Sequence, residues 1–233
     1  MIKIKIADFV IEIDNKYDFI EKMCKDYLTD IEAVDFSVKC TDEELERERA
    51  SAEHDFPDGY IESLCVYRSI CLKIVEMDAF LVHSAVIEVD GSAYAFLARS
   101  GPGKSTHIAL WRKALGERVK VINGDKPIYR YIDGVLYVYG TPWCGKEGWH
   151  RNTRAPLKAL CFIERGAENS IETLAPSDAA SKVMKQILVP NQPQGALKML
   201  ELMDKLVTET PSWLLKCNIS EQAALIAYNA MSK

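Results

Sequence analysis

The sequence predicts an α/β fold built on a mixed sheet, and three observations predict it. Segments that alternate apolar and polar residues are interleaved along the chain with segments whose apolar residues recur at helical spacing. An apolar run ending in "AFLARS" breaks into "GPGKSTH" and continues as a helix-like stretch, the strand–loop–helix order of a phosphate-binding loop. The run entering that loop is the second arm of a hairpin turning on Asp90-Gly91, whereas doubly wound folds connect strands through helices, so this sheet must contain antiparallel neighbours.

The elements follow in order. "IKIKI" and "FVIEI" alternate with period two and predict an opening hairpin, "YDFIEKMCKDYL" a helix, and "VDFSV" a strand. The charge-dense stretch 41–59 predicts a solvated helix and a mobile loop, and "YIESLCVYRSICLKIVEMD" a long amphipathic helix. "AFLVHSAVIEVDGSAYAFLA" holds two strand-like runs around the Asp90-Gly91 turn, "KSTHIALWRKAL" is a helix, and "VKVING" a short buried strand. "KPIYRYIDGVLYVYG" predicts a second hairpin on Asp133-Gly134, and "LKALCFIE" an apolar strand. The final third reads as mainly helical: a helix capped by Ser177 or Asp178, a second over "QGALKMLELMDKLV", and a third opened by Ser220. No repeat or low-complexity linker divides the chain. The expected organisation is one globular unit, with residues 1–78 as an α/β subregion packed on a nucleotide-binding core at 79–233.

The chain has 233 residues, of which 48% are hydrophobic, enough to bury a sizeable core without staples. A net charge of -5 gives no overall positive field, which argues against a nucleic-acid or anionic-membrane partner and makes any anion site local. There are seven cysteines and no C-x-x-C pair, and most of them read as free buried thiols. With an alternating N-terminal stretch in place of a leader, and no bilayer-length apolar run, the expectation is a cytoplasmic protein.

The loop carries the chemistry. Successive N–H groups of such a loop, and the unpaired N–H groups opening the next helix, hold phosphate oxygens. In G-x-x-x-x-G-K-[ST] the lysine meets the outer phosphates and the hydroxyl meets magnesium. Gly103, Lys104, Ser105 and Thr106 fill the second half, with Ser100 and Gly101 in the turn; Ala98 stands where the pattern has its first glycine, and Pro102 removes a donor. A helix simply opening on Gly-Pro-Gly-Lys is the competing reading. A magnesium nucleotide also needs an acid at the end of a neighbouring strand, and "VKVINGD" offers Asp125. His83, at the entry of the first hairpin, fits either a proton-handling group near the transferred phosphoryl or a hydrogen-bonded core histidine. In residues 140–154, Gly140, Gly145 and Gly148 predict flexibility, Lys146, Arg151 and Arg154 could meet phosphates or an acidic acceptor, and Trp143 and Trp149 could stack on a base or peptide.

"LVHSAVIEVDGSAYAFLARSGPGKSTH" followed by "VINGDKPIYRYIDG" resembles the C-terminal kinase domain of the HPr kinase/phosphorylase family, over roughly residues 80–165. The resemblance implies a phosphoenolpyruvate-carboxykinase-like P-loop domain with a mixed sheet, extended here by an N-terminal α/β region. It aligns His83, Gly101, Gly103, Lys104, Ser105 and Asp125 with the family's histidine, loop and second aspartate. Gly124 stands in place of the first aspartate, and the family's signature loop is replaced by "GTPWCGKEGWHRNTR", as in a divergent subfamily. The function so implied is ATP- and magnesium-dependent phosphoryl transfer to a hydroxyl, with serine of a protein or peptide as the expected acceptor. Lys104 and the loop would hold phosphates, Ser105 and Asp125 magnesium, and Asp125 or His83 would take the acceptor proton. A nucleotide-binding regulator without turnover, suggested by Gly124 and Ala98, and a small-molecule kinase are the rival readings.

Overall fold

The computed structural model describes residues 1–52, 54–98 and 103–233. β1 (Ile2–Ile6) and β2 (Phe9–Asp14) form the opening hairpin, turning on Ala7 and Asp8, both at positive φ, which matches the twist of the two strands. α1 (Asp18–Met23) leads through a short 3-10 turn to β3 (Phe36–Lys39), which pairs parallel with β2 and completes a three-stranded sheet. α2 (Asp42–Ser51) opens on a capping box: the Thr41 hydroxyl accepts from the Glu44 N–H, and the Glu44 carboxylate accepts from the Thr41 N–H. α3 (Asp58–Lys73) buries Ile61, Cys65, Val66 and Ile70 in the core shared with this sheet. That core does not close on itself, because Ala79, Ile128, Tyr139 and Trp143 from the rest of the chain complete it.

The larger sheet begins with β4 (Ala79–Leu81), then β5 (Ala85–Val89) and β6 (Ser92–Leu97), an antiparallel hairpin with Asp90 and Gly91 at φ 50° and 80°. α4 (Lys104–Leu115) follows, then β7 (Val119–Asn123), antiparallel to β5. β8 (Ile128–Ile132) and β9 (Val135–Tyr139) form the second hairpin on Asp133 and Gly134. β10 (Arg154–Arg165) is the hinge of the sheet: Arg154–Pro156 pair antiparallel with β9, and Leu157–Phe162 pair parallel with β6. β11 (Ser170–Thr173), α5 (Pro176–Val183), α6 (Pro193–Glu209), β12 (Ser212–Cys217) and α7 (Glu221–Met231) complete the chain. The strand order is β4-β8-β9-β10-β6-β5-β7, with β12 parallel to β10 and β11 antiparallel to β12.

β6 shows why the sheet is covered on both faces. Ala93, Ala95 and Leu97 point into a layer filled by α5 and α6, through Val183, Met199, Leu206 and their neighbours. Tyr94 and Phe96 point into the opposite layer, against Ile108 and Trp111 of α4 and Ala224 and Ala227 of α7. A strand buried on both faces reads as continuous apolar sequence, as this one does.

The three helices expected in the final third are present, together with two strands not expected there, β11 and β12, which extend the sheet. α5 has Ala175 at its N-cap with Pro176 at its first position, so neither Ser177 nor Asp178 caps it. Ser220 does precede α7, but its hydroxyl accepts from the Asn169 amide and caps no N–H of the helix. All seven cysteines are free thiols. Among the described residues no helix is long and apolar enough to cross a membrane.

Candidate functional site

Three segments converge where β4, β7 and α4 end or begin. His83 lies between β4 and β5, where its N–H donates to the Gln186 carbonyl (2.7 Å). Asp125 follows β7, with its carbonyl accepting from the Ser84 N–H (3.1 Å). Lys104 is the first residue of α4. Their side chains meet: His83 Nε2 is 2.8 Å from Asp125 Oδ1 and 3.0 Å from Lys104 Nζ, and Lys104 Nζ is 3.9 Å from Asp125 Oδ1.

This cluster is electrostatically poised. A single Nε2 cannot both donate to the carboxylate and accept from the ammonium, so in either tautomer one of those two contacts lacks its hydrogen bond. Burial pushes the Lys104 ammonium below the ordinary lysine value, against the pull of Asp125 and Glu147. Burial alone would raise the Asp125 carboxyl; the His83 hydrogen bond and charge, with Lys104 and Lys126, outweigh it and hold the group below the usual carboxylate range. At neutral pH the site is therefore a fixed carboxylate beside a partly desolvated cation.

Gly103 is the N-cap of α4, in extended backbone, and Lys104, Ser105 and Thr106 form the first turn, ahead of the His107 N–H bond to the Gly103 carbonyl. Their own N–H groups have no partner inside the helix, which is the feature of a helix start that suits an anion. Ser105 and Thr106 are half-buried. Ser100 and Gly101 lie outside the described residues. His107, one turn further on, belongs to the core: Trp111 Nε1–H donates to its Nε2 (2.9 Å), and burial pushes its pKa down to about 4.

Segment 140–154 departs from the sequence expectation. It is pinned to the end of β7 by Gly124 N–H to Trp149 carbonyl (2.9 Å) and Arg151 N–H to Ile122 carbonyl (3.0 Å). It is pinned to the N-terminal region by Trp143 Nε1–H to the Ser63 carbonyl (3.0 Å), Asn152 Nδ2 to the Asp26 carbonyl (2.9 Å) and a Tyr27 hydroxyl contact with His150 Nδ1 (3.1 Å). Gly140 is required by close approach: a Cβ there would stand 1.8 Å from the Arg151 carbonyl oxygen. Trp143 is 5% exposed and stacked on Tyr67 with centroids 4.2 Å apart, so it is a packing residue and presents no face to an acceptor. Arg154 is taken up by Asp8 and by the ring and hydroxyl of Tyr139. Lys146 and Arg151 are exposed.

The same segment explains Gly124. A Cβ at that position would lie 2.8 Å from the Cys144 carbonyl oxygen, so the closed loop leaves no room for a side chain there. It also delivers a carboxylate that sequence reasoning missed. Glu147 acts on the Lys104 ammonium, and its Oε2 lies 3.8 Å from the point where a Cβ on Gly145 would stand, a point itself 3.2 Å from Asp125 Cβ. The one available signal was a single acid among cations in a glycine-flanked stretch.

The Asp125 carboxylate is a hard oxygen donor beside Lys104 and a helix start, and Glu147 and Ser105 supply further oxygens on the adjoining segment and the first turn of α4. Magnesium is commonly held by one or two carboxylates plus substrate phosphates, and oxygen donors of this kind are chemically compatible with it. Among the described residues no group of three or more His, Cys, Asp or Glu forms an all-protein metal cage.

No family model matches the sequence, and no curated protein matches it. Among solved structures, the chain is similar to the Hpr(Ser) kinase/phosphatase from Coxiella burnetii, with 9% sequence identity and a TM-score of 0.37, covering 64% of this chain and 95% of that one. A likeness this distant transfers no residue role.

Proposed function

We propose that the chain is an ATP- and magnesium-dependent phosphotransferase acting on a hydroxyl, with serine of a protein or peptide as acceptor. The observation that carries the reading is the meeting of Lys104, His83 and Asp125 at the start of α4, within 3.0 and 2.8 Å of a shared nitrogen. Phosphoryl transfer asks for positioning and charge neutralisation more than covalent chemistry, and these side chains supply both. Bound magnesium would neutralise phosphate charge, with Asp125, Glu147 and Ser105 as its holders. Lys104 would leave His83 for the outer phosphate oxygens, aided by the first-turn N–H groups of α4. Asp125, kept ionised by its neighbours, is the base for the acceptor proton, and His83 orients it. Lys146 and Arg151 remain exposed on the adjoining segment to meet an acidic or extended polypeptide.

One observation favours a second reading, a nucleotide-binding regulator without turnover: Gly124 leaves the β7 end with a single carboxylate. The presence of Glu147 near Lys104 weakens it. The deciding experiment is incubation of purified protein with γ-labelled ATP, magnesium and a cytoplasmic extract of the source cell. Label on polypeptide serine supports the proposal. Label confined to small metabolites moves the acceptor class, and nucleotide binding without any transfer or hydrolysis supports the regulator.

A further inference from the structure

The side chain of Asn123, the last residue of β7, is fully buried, yet every polar atom on it is engaged. Its Oδ1 accepts from the Asp125 N–H and the Lys126 N–H, both at 2.8 Å. Its Nδ2 donates to the Thr141 carbonyl (2.9 Å) and lies within reach of Thr141 Oγ1 (3.1 Å) and the Trp143 carbonyl (3.4 Å). Two N–H donors on one side and two carbonyls on the other fix the orientation of the amide.

The consequences fall on Asp125. Its peptide is clamped on one side by the Asn123 amide and on the other by the Ser84 N–H, next to His83. The turn beyond it is held as well, because the Lys126 carbonyl accepts from both the Tyr67 hydroxyl (2.6 Å) and the Thr141 hydroxyl (2.8 Å). The turn that carries Asp125 is thus tied to the wall segment that carries Glu147 and to α3 of the N-terminal region.

From this geometry we infer that Asn123 is the positioning residue of the site, setting the Asp125 carboxylate against His83 and Lys104 and fixing the 141–147 wall at the same time. The inference rests on the phosphotransferase reading for its consequence in turnover, but not for its consequence in geometry. Only an amide meets the chemical demand. Serine is too short to span both sides, and a carboxylate would face the Thr141 and Trp143 carbonyls with no hydrogen to donate.

The test uses the full chain and three variants, Asn123→Ser, Asn123→Asp and Tyr67→Phe, with two readouts besides folding: the split between magnesium-ATP affinity and turnover, and the imidazole NMR resonances of His83. In a folded Asn123→Ser the expected result is affinity within about 3-fold of wild type, turnover lower by about 100-fold, and loss of the His83 signature of its bond to Asp125. Asn123→Asp keeps an acceptor for the Asp125 and Lys126 N–H groups but has no N–H for the Thr141 and Trp143 carbonyls, so it should likewise lower turnover and shift the His83 resonances. Should Asn123→Ser fail to fold, Tyr67→Phe carries the test. It keeps the ring stacked on Trp143 and removes one donor from the Lys126 carbonyl, and it should shift the His83 resonances and lower turnover by about 5-fold at unchanged affinity. Wild-type His83 resonances in a folded variant overturn the inference. If wild-type protein shows no turnover, the phosphotransferase reading fails, and the His83 resonances still decide the positioning role.

Discussion

Lys104 and Asp125 sit in the same cluster but should fail differently. Lys104→Ala removes the cation proposed to meet the phosphates and is expected to weaken magnesium-ATP binding by about 10- to 100-fold, measured by calorimetry, with an unchanged circular dichroism spectrum. Unchanged affinity would mean that "GPGKST" only starts a helix. His107, three residues along, gives a pH prediction. Its pKa in the fold is about 4, against about 6.5 unfolded, so the unfolded state binds the extra proton between those values and stability falls as pH drops from about 6.5 to about 4. The loss should reach at most about 3 kcal/mol, and urea titrations across that range should show a shallower decline in His107→Gln. The positions of these residues were legible in the sequence, because Gly-Lys-Ser-Thr and a strand-end aspartate carry their own chemistry. Glu147 and Asn123 were not, because each matters through contacts made across the fold.

The two hairpins were legible for the same local reason: Asp-Gly supplies two consecutive residues at positive φ. Gly134 has φ +80° with nothing within 4 Å of an added Cβ, so Gly134→Ala isolates the conformational cost, expected at about 1–2 kcal/mol by chemical denaturation. β11 and β12 were not legible. "SWLLKC" follows a proline and shows no clean alternation, and it is a strand because β10 offers it a parallel partner. Segment 140–154 is the more instructive miss. Its glycines and cations suggested a mobile acceptor loop, but Gly140 serves close packing and Trp143 fills the space beside Tyr67. Trp143→Ala is therefore expected to cost about 3–5 kcal/mol of stability, read by thermal melts. Loss of polypeptide labelling at full stability would return Trp143 to the acceptor site.

At the scale of the molecule, residues 1–78 form their own three-stranded sheet, yet their core is completed by Ile128, Tyr139 and Trp143, and Tyr67 reaches the carbonyl beside Asp125. A fragment of residues 79–233 would bare those side chains and leave the Trp143 and Asn152 donors of the 140–154 wall without the Ser63 and Asp26 carbonyls that accept from them. It should melt without cooperativity or aggregate, whereas a cooperative transition at the full-chain temperature would make the N-terminal region a separable appendage. That dependence cannot be read from patterning, since periodicity reports which face of an element is apolar and not what covers it. The central claim is that Asp125, held ionised between His83 and Lys104, serves phosphoryl transfer from a magnesium nucleotide. Its most direct test is single-turnover release or transfer of the γ-phosphoryl group by wild type and by Asp125→Asn, each saturated with magnesium-ATP. The expected result is binding by both proteins and a rate lower by about 100-fold or more in the variant. Equal rates in the two proteins, or no binding of magnesium-ATP by wild type, would contradict it.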